Sequence, residues 1–155
     1  VARRVTAAAA GIVLLFTALL VTANRGLNIS FERTTPHELA IGTELVDRIG
    51  NAGLGYWGGQ GALYGVPRKF ELKTACFESA EDLADCTAQP EVQYFSNTQQ
   101  DENFVRYSAG VSRDTTQRAL ELLQTEKGYQ KIYDSGGVLV LKRPDVPDVH
   151  LGGGR

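Results

Sequence analysis

Methionine is absent from this 155-residue chain, and cysteine, histidine and tryptophan are scarce, with two, two and one residues respectively. Two cysteines and two distant histidines do not form the ligand pattern of a zinc site. His37 stands at a predicted helix start and His150 near the C-terminus, so neither is an evident base for a serine or cysteine nucleophile. The sequence therefore predicts no metal, no cofactor and no catalytic residue.

An excess of positive charge is also missing. The chain has 16 Lys and Arg against 18 Asp and Glu, with a net charge of -2 and a pI of about 5.7. Proteins that neutralise the phosphates of nucleic acids carry a basic surface, so we expect no nucleic-acid partner. Hydrophobic residues make up 43% of the chain, which suffices for the core of one small domain.

The longest uncharged stretch covers residues 5–23, between Arg3-Arg4 and Arg25. Its length is close to the roughly 20 residues of a transmembrane helix. The weakly apolar alanines at its start and the small residues around Ala23 also fit a signal peptide that is cleaved after Ala23. A buried core helix is disfavoured because no polar face recurs at helical period. In the first two cases residues 1–4 are cytoplasmic and residues 24–143 lie beyond the membrane, anchored to its lipid or secreted.

Cys76 and Cys86 are the only cysteines. An extracytoplasmic location would permit a disulfide between them, which would stabilise the domain by about 2–3 kcal/mol. Two separate buried thiols are the alternative interpretation.

Capping and turn residues predict a small α/β domain with a sheet of four or five strands. A capping box from Thr35 to Glu38 starts a helix over residues 36–49, and a second helix runs from an N-cap at Asp114 to Lys127-Gly128. Short strands are predicted at residues 54–57, 70–73 and 91–96, with a brief helix at 79–85. Residues 130–141 read as a C-terminal β-hairpin whose second arm, apolar on both faces, should lie inside the sheet. Residues 144–155 are expected to form a flexible tail.

The stretch from Gly53 to Gly65 combines glycines with aromatic residues. Tyr56, Trp57, Gln60 and Tyr64 are candidates for a ligand or interface surface, since aromatic rings and an amide suit a sugar or a lipid headgroup. A tight structural turn is the plainer interpretation. Residues 53–58 also match GxGxxG, but a helix precedes the motif where a dinucleotide site requires a strand, so we interpret these glycines as close backbone packing.

Two acidic runs are predicted to be solvated faces. They comprise Glu78, Glu81, Asp82 and Asp85, and further along Asp101 and Glu102.

Residues 128–136, GYQKIYDSG, follow an amphipathic helix and a strand containing Tyr94-Phe95-Ser96. In this order, the chain resembles the C-terminal extracytoplasmic region of polytopic membrane glycosyltransferases of the GT-C type, which take sugars from lipid-phosphate donors. The resemblance implies a last transmembrane helix followed by a small α/β region, with other membrane helices of a parent enzyme as partners. The family's catalytic acids lie in an early loop that has no counterpart here, so the resemblance implies no catalytic residue in this chain.

The sequence leaves two main hypotheses of function. The first is the non-catalytic end of such a membrane glycosyltransferase, and the absence of methionine, with valine at position 1, agrees with a chain cut from a longer protein. The second is a free-standing secreted or anchored cell-envelope binding module. A nucleotide-binding enzyme is a weaker third, and the sequence does not indicate an oligomeric state.

Overall fold

The computed structural model describes residues 13–23, 34–58, 69–71 and 74–152. The chain divides into two compact units, residues 1–33 and residues 34–155. The expected cytoplasmic flank, residues 1–4, lies outside the described residues, as do Gln60 and Tyr64.

The first unit is described over helix α1, residues 13–23. Every side chain of α1 is exposed. The hydroxyls of Thr17 and Thr22 donate 2.8 Å hydrogen bonds to the carbonyls of Val13 and Ala18, one turn earlier. Among the described residues, no helix combines the length and apolar character needed to cross a bilayer.

The second unit is an α/β domain, as the sequence predicts. Its helices are α2 Pro36–Ile49, a 3-10 turn Thr74–Phe77, α3 Ala80–Thr87, α4 Gln99–Ser108 and α5 Arg113–Thr125. Its strands are β1 Leu54–Tyr56, β2 Lys69–Glu71, β3 Tyr94–Thr98, β4 Gln130–Ser135 and β5 Val138–Lys142.

The five strands form one mixed sheet in the order β2-β1-β3-β5-β4. β1 pairs in parallel with both β2 and β3, whereas β5 runs antiparallel to β3 and β4. The predicted hairpin is present, with β5 inside the sheet and β4 at its edge. A two-residue connection, Gly136-Gly137, joins them, and both glycines have positive φ, as tight hairpin turns require.

Side chains of alternating orientation divide the core between the two faces of the sheet. On one face Leu45 of α2 packs in a cluster with Tyr94 of β3 and Val140 of β5. On the other face α3, α4 and α5 pack on a cluster that includes Phe95 and Leu141. β5 contributes to both clusters, which explains why its residues 138–141 are all apolar.

Local sequence signals fix the two long helices of the domain. The Thr35 hydroxyl accepts from the Glu38 amide, and the Glu38 carboxylate accepts from the Thr35 amide, which confirms the predicted capping box. For α5 the predicted N-cap is wrong by two residues, because Ser112 rather than Asp114 caps the helix. The helix ends at Thr125, two residues before the predicted Lys127-Gly128, and Gly128 has the positive φ of +74° expected of a glycine after a helix.

Helix α4 has no counterpart in the sequence prediction. The Thr98 hydroxyl accepts from the Asp101 amide, and the Asp101 carboxylate accepts from the Thr98 amide, so a second capping box starts this helix. Asp101 is 1% exposed, and its assignment to a solvated acidic face is therefore wrong. The carboxylate is buried because it is needed to satisfy the first turn of α4.

The segment after β5 is packed along the domain through residue 152, although a flexible tail was expected from residue 144. Val146 is buried beside α2, and the Tyr94 hydroxyl donates to the Pro147 carbonyl. The Gly152 amide donates to the Glu44 carboxylate on α2. Apolar burial and hydrogen bonds therefore hold a segment whose prolines and glycines alone indicate disorder.

Cys76 and Cys86 form a disulfide, with their Cα atoms 5.8 Å apart. The bond joins the 3-10 turn to α3. It confirms the first of the two interpretations of the cysteine pair and excludes two separate thiols.

Candidate functional site

The parallel strands place the candidate site at one end of the sheet. β1, β2 and β3 run in the same direction, so their carboxyl ends lie side by side at that end. Ligands of open α/β sheets bind beyond the carboxyl ends of the strands. Helix α4 begins there, directly after β3, and α5 follows it after four residues.

A polar cleft of about 70 Å³ lies between α4 and the start of α5. One face of α4 supplies four of its lining residues, at helical spacing, and the following turn and α5 supply the other three. They are Gln99, Glu102, Asn103, Arg106, Val111, Arg113 and Thr116. Six of these seven side chains are polar or charged, so the cleft offers hydrogen-bond donors and acceptors rather than an apolar surface.

A tight turn brings the two helices together. Gly110 has φ +70° and follows the last turn of α4, where the Val111 amide donates to the Val105 carbonyl, as in a Schellman motif. Ser112 then caps α5. The turn buries Val111 at the cleft. It also brings α4 and α5 together so that Arg106 and Arg113 line the same cleft.

Two arginines give the cleft its positive charge. Arg106 and Arg113 are exposed, and neither guanidinium forms an ion pair with any residue in the described part of the chain. The Arg106 guanidinium lies 5.3 Å from the centre of the Tyr107 ring, a cation–π contact that restricts its orientation. Guanidinium groups without an internal carboxylate partner are suited to bind an anion.

A buried amide lies behind the cleft on β3. Asn97 is 4% exposed, and its Nδ2 donates a 3.3 Å hydrogen bond to Glu102 Oε1. Its Oδ1 is buried without a hydrogen-bond partner among the residues that the structure describes. A buried acceptor of this kind destabilises the fold by about 1–3 kcal/mol, so Asn97 is a position to be explained by function rather than by stability.

The cleft is lined by hydrogen-bonding groups and by two guanidinium groups. Its lining holds one carboxylate, and no histidine, cysteine or second acid with which Glu102 would share proton transfer. Nor do the described residues contain a group of three or more His, Cys, Asp or Glu side chains placed to hold a metal ion.

The structure places the predicted site residues Tyr56 and Trp57 in the core. Tyr56 is 1% exposed in the cluster beside α2, and Trp57 is 0% exposed on the opposite face, where its ring centre lies 5.1 Å from that of Phe95. Neither ring reaches the surface, because β1 is covered by helices on both sides. The structure does not bring these two residues to one site, and the other two candidates lie outside the described residues.

The glycines of the GxGxxG match serve close packing. The Gly53 carbonyl accepts from the amides of Gln93 and Tyr94, and the Gly53 amide donates to the Gln93 side chain. A Cβ atom on Gly55 would lie 2.7 Å from Val92 Cγ1. The amide and carbonyl of Gly53 are already hydrogen-bonded within the domain, so they are not free to bind a pyrophosphate.

Sequence reasoning missed the cleft because its residues are individually ordinary. The signal that was available is the polar spacing of residues 99, 102, 103 and 106, which all lie on one helix face. It becomes visible only once Thr98 is recognised as an N-cap and α4 is placed.

No protein-family model, curated protein or solved structure matches this chain. A function is therefore inferred from the exposure of α1 and from the side chains that line the cleft.

Proposed function

We propose that this protein is an extracytoplasmic α/β domain anchored to a membrane by the segment that contains α1, and that it forms a non-catalytic part of a GT-C-type membrane glycosyltransferase. The observation that carries the membrane attachment is the surface of α1. The large hydrophobic side chains of this helix are between 51% and 71% exposed, and they are Val13, Leu14, Leu15, Phe16, Leu19, Leu20 and Val21.

A helix with this surface is stabilised by lipid rather than by water. Exposed apolar area is unfavourable in water by roughly 25 cal/mol per Å². Thr17 and Thr22, the polar residues of α1, donate their hydroxyl protons to carbonyls of their own helix. Such internal hydrogen bonds satisfy hydroxyls where no water is present.

The length of the apolar segment agrees with an anchor. The 11 residues of α1 measure about 16 Å as a helix, roughly half of a hydrocarbon core of about 30 Å. The uncharged run of residues 5–23 contains 19 residues, and a helix of that length would measure about 28 Å.

The disulfide supports the extracytoplasmic side. Disulfides form and persist in oxidising compartments, whereas cytosolic thiols are kept reduced. Because Cys76 and Cys86 are bonded, the domain suits the compartment that the arginines before α1 also favour.

The glycosyltransferase part of the proposal is supported by the resemblance at residues 128–136 and by the order of elements. A last apolar helix, a helix, strands, an amphipathic helix and a hairpin follow one another as in the C-terminal regions of that family. A cleft with one carboxylate supports a binding rather than a catalytic role.

Membrane attachment is tested by alkaline carbonate extraction of membranes from cells that express the chain. We expect the wild-type chain in the membrane pellet and the double variant Leu15→Arg/Leu19→Arg in the supernatant, since a charge in the middle of an apolar helix opposes insertion. Leu39→Arg is a matched control, because Leu39 is a 53% exposed leucine on α2. Extraction of the wild-type chain would contradict the anchor.

The DNA directly upstream of the codon for Val1 tests the glycosyltransferase part separately. We expect it to encode further hydrophobic segments in the same reading frame. If it encodes none, the chain is not the end of such an enzyme.

A free-standing envelope module is the second candidate function, favoured by the compactness of residues 34–155 as a unit of their own. It predicts a mature N-terminus at Asn24, because the apolar segment would be cleaved as a signal peptide. N-terminal sequencing of the exported protein distinguishes this function from a retained anchor.

A further inference from the structure

We propose that the cleft between α4 and α5 binds a group with one negative charge that is flanked by hydroxyls, such as the carboxylate of a uronic acid or the phosphodiester of a sugar. The proposal depends on the cleft alone. It holds for an anchored domain and for a secreted one.

The size of the cleft limits how much of a ligand it can hold. A cavity must measure roughly 10–15 Å³ to hold one water molecule, so a cleft of about 70 Å³ has room for a carboxylate or a phosphodiester and for the part of a sugar beside it. The remainder of the ligand would lie at the rim, where Gln99 and Arg106 are exposed.

The charge of the cleft favours a monoanion. The two guanidinium groups of Arg106 and Arg113 and the carboxylate of Glu102 leave a single positive charge among the lining side chains. A guanidinium can bind both oxygens of a carboxylate or a phosphodiester in parallel hydrogen bonds. A phosphate monoester carries nearly two charges near neutral pH, one more than the single positive charge of the cleft neutralises.

Glu102 indicates that hydroxyls stand next to the anion. An ionised carboxylate only accepts hydrogen bonds, so a ligand group that binds beside it would be a donor, such as a hydroxyl. The Asn97 amide fixes the carboxylate through its Oε1, and this leaves Oε2 for such a donor. At the rim, Gln99 Nε2 donates a 3.4 Å hydrogen bond to Asn103 Oδ1, and these two side-chain amides add both donors and acceptors.

Binding is tested on the full chain in an amine-oxide detergent, which contains neither sugar nor phosphate. The probes are glucuronate, methyl glucoside, acetate and the methyl phosphodiester of glucose. The ¹⁵N NMR signals of the arginine Nε–H groups report which guanidinium binds. We expect the signals of Arg106 and Arg113 to shift with glucuronate or the glucose phosphodiester, and the affinity for acetate and methyl glucoside to be at least about tenfold weaker.

The two anionic probes distinguish the source of the charge. Tighter binding of glucuronate assigns the cleft to a carboxylate, and tighter binding of the diester assigns it to a phosphodiester.

Single substitutions test the two halves of the site. Arg113→Gln should lower the affinity of the cleft for both anionic probes about tenfold, because a charge-assisted hydrogen bond is lost. Glu102→Gln should strengthen acetate binding, because it removes the repulsion between the Glu102 carboxylate and the anion. It should also reduce the preference of the cleft for glucuronate over acetate, because it removes the carboxylate that accepts from the hydroxyls of the sugar. Arg118→Gln is the matched control, because Arg118 is an exposed arginine on α5 that pairs with Glu121 and does not line the cleft.

Three results with the probes and with Arg113→Gln would overturn the proposal, and a fourth comes from the control variant. They are the absence of any shift at Arg106 and Arg113, equal affinities for glucuronate and acetate, and unchanged binding in Arg113→Gln. An equal effect of Arg118→Gln would show general attraction of anions to the surface and would overturn it as well.

Discussion

The Trp57 indole donates a 2.9 Å hydrogen bond from Nε1 to Thr87 Oγ1, and both residues are buried. The Thr87 hydroxyl donates in turn to the Leu83 carbonyl within α3. The end of β1 and α3 are thus joined by a polar link inside the core. Since Trp57 is the only tryptophan of the chain, its fluorescence reports directly on this link.

Thr87→Val should destabilise the domain by about 1–3 kcal/mol, because it leaves the indole N–H buried without an acceptor. Thr87→Ser is the control, since it keeps the hydroxyl and removes one methyl group, a change of about 1 kcal/mol. Urea unfolding followed by Trp57 fluorescence measures both. Equal stability of the valine variant and the wild type would show that the hydrogen bond contributes nothing.

Removing the disulfide should lower the free energy of unfolding by about 2–3 kcal/mol, because the bond closes a short loop in the unfolded chain. The double variant Cys76→Ala/Cys86→Ala is compared with the wild type, each with and without reductant. We expect reductant to destabilise only the wild type. If the variant responds equally, the effect does not come from this bond.

Gly55→Ala should destabilise the domain by about 1–3 kcal/mol, because the new methyl group would lie 2.7 Å from Val92 Cγ1. Val92→Ala removes both methyl groups that a Cβ at position 55 would meet. We therefore expect Gly55→Ala to be better tolerated in the Val92→Ala background, as a double-mutant cycle of unfolding free energies measures. Additive effects would show that the two positions are not in contact.

The carboxylate of Glu44 makes the packing of the C-terminal segment dependent on pH. The hydrogen bond from the Gly152 amide, with the neighbouring Arg48, holds the pKa of Glu44 below its ordinary value of 4.5. A carboxyl whose pKa is lowered by folding stabilises the fold above its unfolded pKa, and this contribution is lost as the pH falls through the lowered folded pKa.

We therefore expect the amide resonance of Gly152 to titrate with a midpoint below pH 4.5. The titration should disappear in Glu44→Gln and persist in Asp47→Asn, which changes another exposed carboxyl of α2. A midpoint at or above 4.5 in the wild type would contradict the contact.

The parts of the fold that could be predicted are those encoded by neighbouring residues. Thr35 and Glu38 form their capping box within one turn, and the turn at Gly136-Gly137 needs only the two strands beside it. Sheet order and the burial of Val146 depend on contacts between distant residues, which the apolar pattern does not specify. The prolines and glycines after β5 therefore indicated a tail, although Tyr94 and Glu44 hold that segment in place.

The candidate site was less predictable than the fold. The sequence predicts Tyr56 and Trp57 as site residues because they are large aromatic residues beside glycines, but the same size makes them suitable for the two core clusters. Asn97 and Glu102 meet only because α4 turns back from the end of β3.

The position of β5 has a consequence for biosynthesis. This strand lies between β3 and β4 and is nevertheless the last of the described strands in chain order, so β3 has no neighbour on one side until residues 138–142 have been synthesised. A nascent chain that lacks β5 exposes that open edge to other unfinished chains throughout the synthesis of α4, α5 and β4. The domain thus completes its sheet only when β5 has been synthesised, and a nascent chain halted before Val138 should be a substrate for chaperones or proteases.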